Sequence, residues 1–249
     1  MAASDRTAST ESPFTPPSPA DALARLGMPM ADAMRTQRAV RRLHLEPVPH
    51  EVLLPLLELS LKAPTSSNTQ DWCYLVVEDR AQKAALAKIH RRLYRLYNPI
   101  VERQVRGDAA AQRQIRPGQW QTEHFEDLPV FVIPCYRRNL KHRPVGRPQI
   151  SVASFYGSVF PAVQNLLLAC RAVGLGASIQ TLPIWNVRAT RKALGLPRHL
   201  TPVCIIPIGW AKGRYGPTTR RPIGEVVHLD RYGHQPFRSW RADDPASSS

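Results

Sequence analysis

The sequence predicts a mixed α/β or α+β domain, because short strand patterns alternate with long helical patterns along its 249 residues. Residues 72–77, 130–136 and 203–209 are short apolar runs rich in β-branched and aromatic side chains, which is typical of buried strands. Residues 81–106 and 156–173 repeat apolar side chains at helical spacing. Hydrophobic residues make up 43% of the chain, which is enough for a substantial core.

The composition is strongly basic. Lys and Arg number 34 and Asp and Glu 19, so the formal net charge is +15. Such a surface attracts phosphates, whether of a nucleic acid, an anionic membrane or a nucleotide cofactor. The basic residues are scattered, and the sequence has neither paired Cys/His fingers nor a glycine-aromatic RNA-binding strand. We therefore expect no nucleic-acid partner, and a non-enzymatic basic protein that binds anions or nucleic acid is the alternative class.

The four cysteines predict core packing rather than chemistry. All lie in apolar runs, and none is paired at the spacing of metal ligands. We therefore expect neither a metal site nor a disulfide framework. No apolar run is long enough to span a bilayer, and the N-terminus lacks a signal-peptide pattern. We expect a cytoplasmic protein without a membrane partner.

The first 26 residues are predicted to be a disordered leader, because Ala, Ser, Thr and Pro dominate and cannot bury enough surface to offset ordering. Within it, Asp21 is a candidate cap for a short helix that ends near Gly27. We expect one domain over residues 27–234 and a polar, extended or disordered tail over residues 235–249.

Two helices and a polar loop are predicted in the first third of the domain. A helix is predicted to run from Asp32 towards Val40, so that Arg38 and Arg41 would lie on the same face. This cationic face could bind an anionic group. The alternative is that it is only a solvated basic surface. An amphipathic helix follows over residues 49–61 and is ended by Pro64.

The loop at residues 63–72 reads Ala-Pro-Thr-Ser-Ser-Asn-Thr-Gln-Asp-Trp. Its hydroxyls, amides and free backbone groups could bind the edge of a ligand. An ordinary helix-to-strand connection is the alternative interpretation.

The central region, residues 107–150, is predicted to be an excursion from the domain. Its first part, to residue 128, is interpreted as a mobile segment and possible lid with exposed Trp120 and Phe125, or else as an ordinary packed loop. Residues 137–150 are interpreted as a basic loop. In the helix before the excursion, Pro99 is expected to introduce a kink or a break.

The helix at residues 156–173 is apolar on nearly all sides, which predicts burial at a domain centre or a subunit interface. Gly174 and Gly176 end it. The remaining predicted elements are an extended segment at 177–183, a short helix at 187–194, a basic loop at 214–222 and a last short strand at 225–228.

No set of protein side chains suited to catalysis is recognisable. The sequence has no Gly-rich phosphate loop and no Gly-x-Ser-x-Gly motif, and its eight histidines form no i, i+4 pair. If the protein is an enzyme, a cofactor therefore carries the chemistry.

Several motifs occur in an order that resembles the FMN-dependent nitroreductase family, over about residues 30–233. These motifs are Arg38-Ala39-Val40-Arg41-Arg42, residues 48–53, the loop 63–72, residues 172–177, the strand 203–209 and residues 219–223. The resemblance implies a three-layer α/β/α sandwich with a central, mostly antiparallel sheet, and an intertwined homodimer with two flavins at its interface.

The resemblance also implies FMN as cofactor, NADH or NADPH as electron donor, and ping-pong reduction of nitroaromatics, quinones or similar small molecules. A deazaflavin cofactor, or specialised flavin chemistry such as flavin cleavage or dehalogenation of tyrosine derivatives, is the alternative within the fold. A flavin-free relative is a further alternative.

By the same resemblance, Arg38, Arg41 and Arg220 bind the FMN phosphate and the flavin's pyrimidine edge, with Arg42 or Arg221 as substitutes. The 64–68 loop reaches in from the partner subunit, and residues 181–186 line the flavin ring, with a backbone N–H near Trp185 at N5. The implied cofactor-binding set is Arg38, Ala39, Arg41, Arg42, Pro64, Thr65, Ser66, Asn68, Gln70, Thr181, Leu182, Pro183, Trp185, Arg220 and Arg221. No side chain is assigned as catalytic and none as a metal ligand.

Three departures from the family pattern leave substrate and donor open. Gln37-Arg38-Ala39 stands where the family often has Arg-Arg-Ser, so one phosphate donor and one hydroxyl are missing. Gln70-Asp71-Trp72 replaces the usual Gln-Pro-Trp, and many members carry an acidic residue near the position of Trp185.

Overall fold

The computed structural model describes residues 14–137 and 148–240. The chain forms two compact units, Met1–Tyr215 and Gly216–Ser249. Residues 1–13 of the predicted leader, most of the predicted basic loop and the last nine residues of the tail lie outside the described residues. The domain boundaries predicted at residues 26/27 and 234/235 stay predictions.

The first unit is organised around a five-stranded sheet in which every described pair of strands is antiparallel. Its order is β1-β2-β5-β3, and β4 also pairs with β2. The strands are β1 (Trp72–Val77), β2 (Val130–Arg137), β3 (Leu175–Ala177), β4 (Leu200–Pro202) and β5 (Ile206–Trp210). The strand predicted at 203–209 is the shorter β5, and β4 lies just before the predicted range.

Helices cover both faces of the sheet. They are α1 (Pro19–Ala24), α2 (Met30–Thr36), α3 (His50–Ser60), α4 (Arg80–Gln104), α5 (Ala109–Glu123), α6 (Pro148–Val173) and α7 (Val187–Ala193). Along β2, Val130 and Val132 join a core with α3 and α6, whereas Phe131 and Ile133 join a second core with α4. This alternation is the period-two pattern of a strand buried on both sides, and it confirms the predicted three-layer α/β/α sandwich.

The long helices follow the sequence patterns closely. The helix predicted at 49–61 is α3, and it ends at Ser60, before Pro64. The helix predicted at 81–106 is α4, whose N-terminus is capped by the Asp79 side chain at 2.8 Å from the backbone nitrogen of Gln82. Pro99 lies inside α4 and does not divide it. No helix among the described residues combines the length and apolarity needed to cross a membrane.

The disorder predicted for residues 1–26 is wrong from residue 14 onward. The ring of Phe14 stacks on His44 at 3.8 Å, and Ala22 in α1 is fully buried. These contacts bury apolar surface that offsets the entropy of ordering, and the composition of the segment did not indicate them. The cap of α1 is Ser18, whose hydroxyl accepts the backbone N–H of Asp21 at 3.1 Å, so Asp21 is not the cap.

The helix predicted to reach Val40 ends at Thr36. The following residues are extended, and the backbone N–H of Val40 donates to the Ala177 carbonyl at 3.0 Å. Arg38 and Arg41 therefore do not share a helical face, because the chain leaves the helix to bond to the sheet edge.

The predicted excursion contains a 15-residue helix, α5, whose N-terminus is capped by the side chain of Asp108. Phe125 was expected to be exposed and is fully buried between His90 and Phe131, while Trp120 is partly buried. The polar composition of this region therefore failed to indicate both helix α5 and the buried Phe125 that follows it. A lid function for this region stays a prediction.

Two local predictions are wrong at the level of secondary structure. Leu182 and Pro183, predicted as the end of an extended segment, instead begin a 3₁₀ turn over Leu182–Asn186. In the second unit, residues Ile223–Glu225 form a 3₁₀ turn, and residues 225–228 do not form the expected strand. The backbone of the second unit approaches itself closely at Gly224, where a Cβ would lie 2.1 Å from the Phe237 carbonyl oxygen.

Candidate functional site

A cavity of about 250 Å³ lies between the edge of the sheet and helices α4 and α5. We call it the inner cavity. Three parts of the chain line it: the extended segment after α2, the segment after β3, and the α4–α5 hairpin. The lining residues are Arg41, His90, Tyr94, Tyr97, Asn98, Val101, Ile115, Gly118, Thr122, Ile179, Gln180, Thr181 and Leu182.

One wall of the inner cavity, formed by residues 37–44 and 175–182, is fixed by backbone hydrogen bonds. We call it the sheet wall. Besides the bond from Val40, the His44 N–H donates to the Trp210 carbonyl at 2.8 Å. The two segments approach closely at Gly176, where a Cβ would lie 2.5 Å from Leu43 Cδ2 and 2.8 Å from Val40 Cγ1. Only glycine permits this approach, which sets the position of Arg41 beside the cavity.

The segment after β3 is held just as firmly. Gln180 and Ile205 exchange two backbone hydrogen bonds, of 2.8 and 2.9 Å. The Thr181 carbonyl accepts the N–H of Ile184 at 2.8 Å and so opens the 3₁₀ turn. Thr181 and Leu182 thereby lie at fixed positions on the cavity lining.

Arg41 is the cation of the inner cavity. Its side chain is half-buried, and burial lowers the pKa of its guanidinium. Among the described residues it has neither a carboxylate nor a hydrogen-bond partner. A charge withdrawn from water without a partner is costly, so this position suits an anionic ligand.

The opposite wall is the α4–α5 hairpin, residues 80–123, which we call the hairpin wall. His90 anchors its base: the ring stacks on Phe125 at 4.4 Å, and Nε2 lies 3.0 Å from the Thr122 hydroxyl. Burial and, to a lesser degree, the charge of Arg91 lower the pKa of His90 to about 4. The imidazole is therefore neutral at pH 7 and does not add to the cationic charge.

A buried amide network joins the two walls. Gln121 of α5 donates through Nε2 to the Ser178 hydroxyl at 3.1 Å, and its Oε1 accepts from the Gln180 side chain at 2.5 Å. Gln121 and Ser178 are both 1% exposed. Since buried polar groups need partners, this network fixes where α5 crosses the sheet wall.

Comparison with known proteins identifies the family. The model of the nitroreductase family matches residues 34–210, which is most of the chain. The chain belongs to the nitroreductase family. Several of its relatives are named as reductases or dehydrogenases, and the chain is accordingly an oxidoreductase.

Two curated relatives and one solved structure illustrate the family. The 4-nitrobenzoate reductase of Nocardioides sp. is 27% identical over 237 residues, covering 81% of this chain and 92% of the relative. The NADH dehydrogenase of Thermus thermophilus is 26% identical over 209 residues, covering 80% and 97%. The structure of oxidised iodotyrosine deiodinase bound to FMN and 3-iodo-L-tyrosine is 24% identical, covers 82% of this chain and 98% of that chain, and has a TM-score of 0.61. That likeness confirms the α+β fold.

The structure brings together part of the cofactor-binding set that the resemblance implied. Arg41, Thr181 and Leu182 all line the inner cavity. Trp185 is exposed and meets Tyr97, a cavity residue, edge to face at 5.7 Å, whereas Pro183 is the buried residue of the 3₁₀ turn itself.

Other members of the set lie outside the cavity lining. Arg38, Ala39 and Arg42 are exposed on the segment that carries Arg41. Arg220 and Arg221 are exposed in the second unit, where the Arg220 guanidinium donates to the Thr219 carbonyl at 2.8 Å.

The small-residue loop is also absent from the lining of the inner cavity. The Pro64, Ser66, Asn68 and Gln70 side chains are exposed and Thr65 is half-buried. The loop is held by its own bonds, for the Thr65 hydroxyl accepts the Gln70 N–H at 3.2 Å.

The sequence interpretation missed the residues that the hairpin and the amide network contribute. Tyr94, Tyr97, Asn98 and Val101 recur at helical spacing on one face of α4, and that spacing was a usable signal. Gln180 carried no comparable signal, because its role arises only where Gln121 of α5 crosses it.

Proposed function

We propose that the chain is an FMN-dependent oxidoreductase that takes hydride from NADH or NADPH. In the second half of a ping-pong cycle it passes the electrons to a nitroaromatic, a quinone or a similar small acceptor. The observation that carries this proposal is Arg41: a half-buried cation without an anionic partner among the described residues, beside Thr181 and Leu182.

The residues present fit FMN. A guanidinium binds phosphate or a carbonyl edge through paired hydrogen bonds, so Arg41, aided by Arg38 and Arg42 on the same segment, would hold the anionic part. The Gln180 and Asn98 amides of the lining offer both donors and acceptors to a flavin edge. When bound, the flavin supplies hydride chemistry that no side chain of the chain can perform.

The aromatic side chains of the site suit a flat ligand. Tyr97 lines the cavity, and Trp185 flanks it from an exposed position. Rings of this kind stack on planar acceptors with little dependence on their substituents. The neutral His90 keeps the ring region free of a further positive charge at pH 7.

We further propose that the enzyme works as a homodimer in the cytoplasm, where NADH and NADPH are available. The inner cavity, at about 250 Å³, is smaller than the ~300–1,000 Å³ of ordinary ligand pockets, and we propose that a second copy enlarges and closes it. The 64–70 loop would be the partner's contribution. On α6, Tyr156 and Phe160 are 45% and 37% exposed, and a second copy would cover them.

Reductive dehalogenation is the second candidate reaction. The solved deiodinase that shares this fold binds FMN and an iodinated tyrosine, and this chain covers 98% of it. Reduction assays with 3-iodo-L-tyrosine and with 4-nitrobenzoate on the same preparation would separate the two candidates.

The decisive experiment is replacement of Arg41. The purified protein should be yellow and lose bound flavin absorbance on denaturation, whereas a basic anion-binding protein would be colourless. Arg41→Ala should weaken FMN binding about tenfold or more, because it removes charge-assisted hydrogen bonds. Arg103→Ala, an exposed cation of α4 outside the cavity lining, is the matched control. If Arg41→Ala binds FMN as tightly as Arg103→Ala does, the phosphate assignment is wrong.

A further inference from the structure

Helix α4 presents a row of exposed side chains that combines apolar and cationic groups. Arg92, Leu96, Ile100 and Arg103 follow one another at spacings of four, four and three residues, so they lie on one face of the helix. We call these four residues the α4 stripe. Leu96 and Ile100 are 69% and 57% exposed, and both arginines are exposed. Two apolar side chains therefore face solvent between two cations.

The positive charge of the α4 stripe is not neutralised by its surroundings. Within the part of the chain that the structure describes, the guanidinium groups of Arg92 and Arg103 make neither an ion pair nor a hydrogen bond. Residues 91–120 of the hairpin wall contain seven arginines and two acidic residues. The field of this region therefore attracts anions.

We propose that the α4 stripe docks on an anionic phospholipid bilayer, with α4 lying in the plane of the membrane surface. Leu96 and Ile100 would enter the acyl boundary, while Arg92 and Arg103 would bind lipid phosphates through their guanidinium groups. This inference goes beyond the proposed function and does not depend on it. The sequence predicted no membrane partner because it lacks a spanning segment, and a helix at the membrane surface does not need one.

The combination of phosphate-binding and apolar groups favours a lipid surface over other anionic partners. A nucleic acid offers phosphates, but no apolar layer beneath them for Leu96 and Ile100. A protein interface usually has about 20–30 residues a side, whereas the stripe has four. A bilayer needs no such area, because each inserted apolar side chain and each cation near the phosphates adds to binding separately.

The α4 stripe adjoins the inner cavity. Tyr97 directly follows Leu96, lines the inner cavity and meets the exposed Trp185 at 5.7 Å. Tyr and Trp side chains favour the boundary between lipid and water, since each combines an apolar ring with a polar tip. Docking of the stripe would therefore place the inner cavity beside the bilayer, within reach of apolar molecules dissolved in it.

The first test is co-sedimentation of the full chain with lipid vesicles. Vesicles of equimolar phosphatidylcholine and phosphatidylglycerol are compared with vesicles of phosphatidylcholine alone. We expect binding to the anionic vesicles to be at least about tenfold tighter, and to weaken with added salt, because exposed charges are screened. Equal binding to both kinds of vesicle, or binding to neither, would overturn the proposal.

The second test removes the apolar part of the stripe. Leu96→Ser/Ile100→Ser should weaken binding to the anionic vesicles about tenfold or more, because two inserted side chains are lost. The matched control is Met30→Ser/Met34→Ser, an exposed apolar pair of α2 with the same spacing, whose neighbours Asp32 and Arg35 pair at 3.7 Å. The control should bind as the unaltered protein does, and an equal loss in both variants would overturn the proposal.

The third test removes the cationic part. Arg92→Gln/Arg103→Gln should weaken binding to the anionic vesicles about tenfold and leave binding to phosphatidylcholine unchanged. Arg198→Gln/Arg214→Gln removes the same charge from exposed positions outside α4 and is the control. If both pairs weaken binding equally, net charge rather than the stripe is responsible, and the proposal is overturned. Urea unfolding of each variant checks that it is folded.

A second copy of the chain is the other partner that could cover Leu96 and Ile100. Light scattering during gel filtration gives the oligomeric state of the unaltered protein and of Leu96→Ser/Ile100→Ser. A change of oligomeric state in the variant would show that the stripe is an interface between copies and would overturn the proposal. An unchanged oligomeric state together with lost vesicle binding supports it.

Discussion

The two walls of the inner cavity differ in how they are held. The sheet wall is fixed by backbone hydrogen bonds, including the bond from Val40 to Ala177 and the pair between Gln180 and Ile205. The hairpin wall is fixed by side chains alone, chiefly at its base around His90 and Phe125. From Arg91 to Trp120, none of the side chains that the structure describes is buried.

From this difference we expect the two walls to have different tasks. A backbone-paired wall keeps Arg41 and Thr181 at constant positions, as a permanently bound cofactor requires. A wall with few buried contacts opens at low free-energy cost, and such segments commonly admit and release ligands. The exposed Leu96 and Ile100 of α4 show how little of the hairpin's outer part this chain covers.

The largest expected effect comes from removing the hairpin's anchor. Phe125→Ala should lower the free energy of unfolding by about 3–5 kcal/mol, because it leaves a cavity between His90 and Phe131. Urea denaturation followed by tryptophan fluorescence measures it. Leu96→Ala, at a side chain that is 69% exposed, is the control and should change the free energy by less than about 0.5 kcal/mol. Equal effects of the two substitutions would contradict an anchor at the base.

A somewhat smaller effect is expected from acid. The pKa of His90 is about 4 in the folded protein and about 6.5 in an unfolded chain, so between these pH values the unfolded chain binds more protons. The contribution of His90 to stability should therefore fall by about 3 kcal/mol as the pH drops from 6.5 to 4, and this contribution should be constant above pH 7.

The measurement is the free energy of unfolding at pH 7.5, 6, 5 and 4.5 for the protein and for His90→Phe. The substitution keeps a ring against Phe125 but cannot titrate. If both proteins lose stability equally between pH 7.5 and 4.5, His90 is not the group responsible.

The smallest of the three effects concerns the sheet wall. Gly176→Ala should lower the free energy of unfolding by about 1–3 kcal/mol, because the added methyl overlaps Leu43 and Val40 and has no free space. It should also weaken FMN binding, since Arg41 lies on the displaced segment. Gly27→Ala, where nothing lies within 4 Å of the added Cβ, is the control. A loss of stability with unchanged FMN affinity would show that the position of the sheet wall does not determine FMN binding.

The elements of the first unit differed in how well the sequence predicted them. Strands β1 and β2 and helix α3 follow from local patterns, because burial on both faces or on one stripe leaves a period in the sequence. Helix α5 was missed because Pro117 and Gly118 lie within a polar segment, and local propensity argues against a helix there. Its side-chain anchor, Phe125, follows the helix and is visible only in three dimensions.

The candidate site shows the same limit. The order of the motifs indicated Arg41, Thr181 and Leu182 as cofactor-binding residues, and in the structure all three line one cavity. The helix predicted across Arg38 and Arg41 was wrong because the competing bonds come from β3, far along the chain. Asn98 and Gln180 join the cavity through the crossing of three segments, and no single stretch of sequence encodes such a crossing.

The loop after α3 has a consequence for assembly. Ser67, Asn68 and Gln70 adopt left-handed backbone angles, with φ near 51, 51 and 50°, and the Ser66 N–H is tied to the Ser158 hydroxyl of α6 at 3.2 Å. The free-energy cost of these backbone angles is therefore part of the folding of each single chain. In the proposed homodimer the loop would therefore need no further ordering, so association would lose little chain entropy.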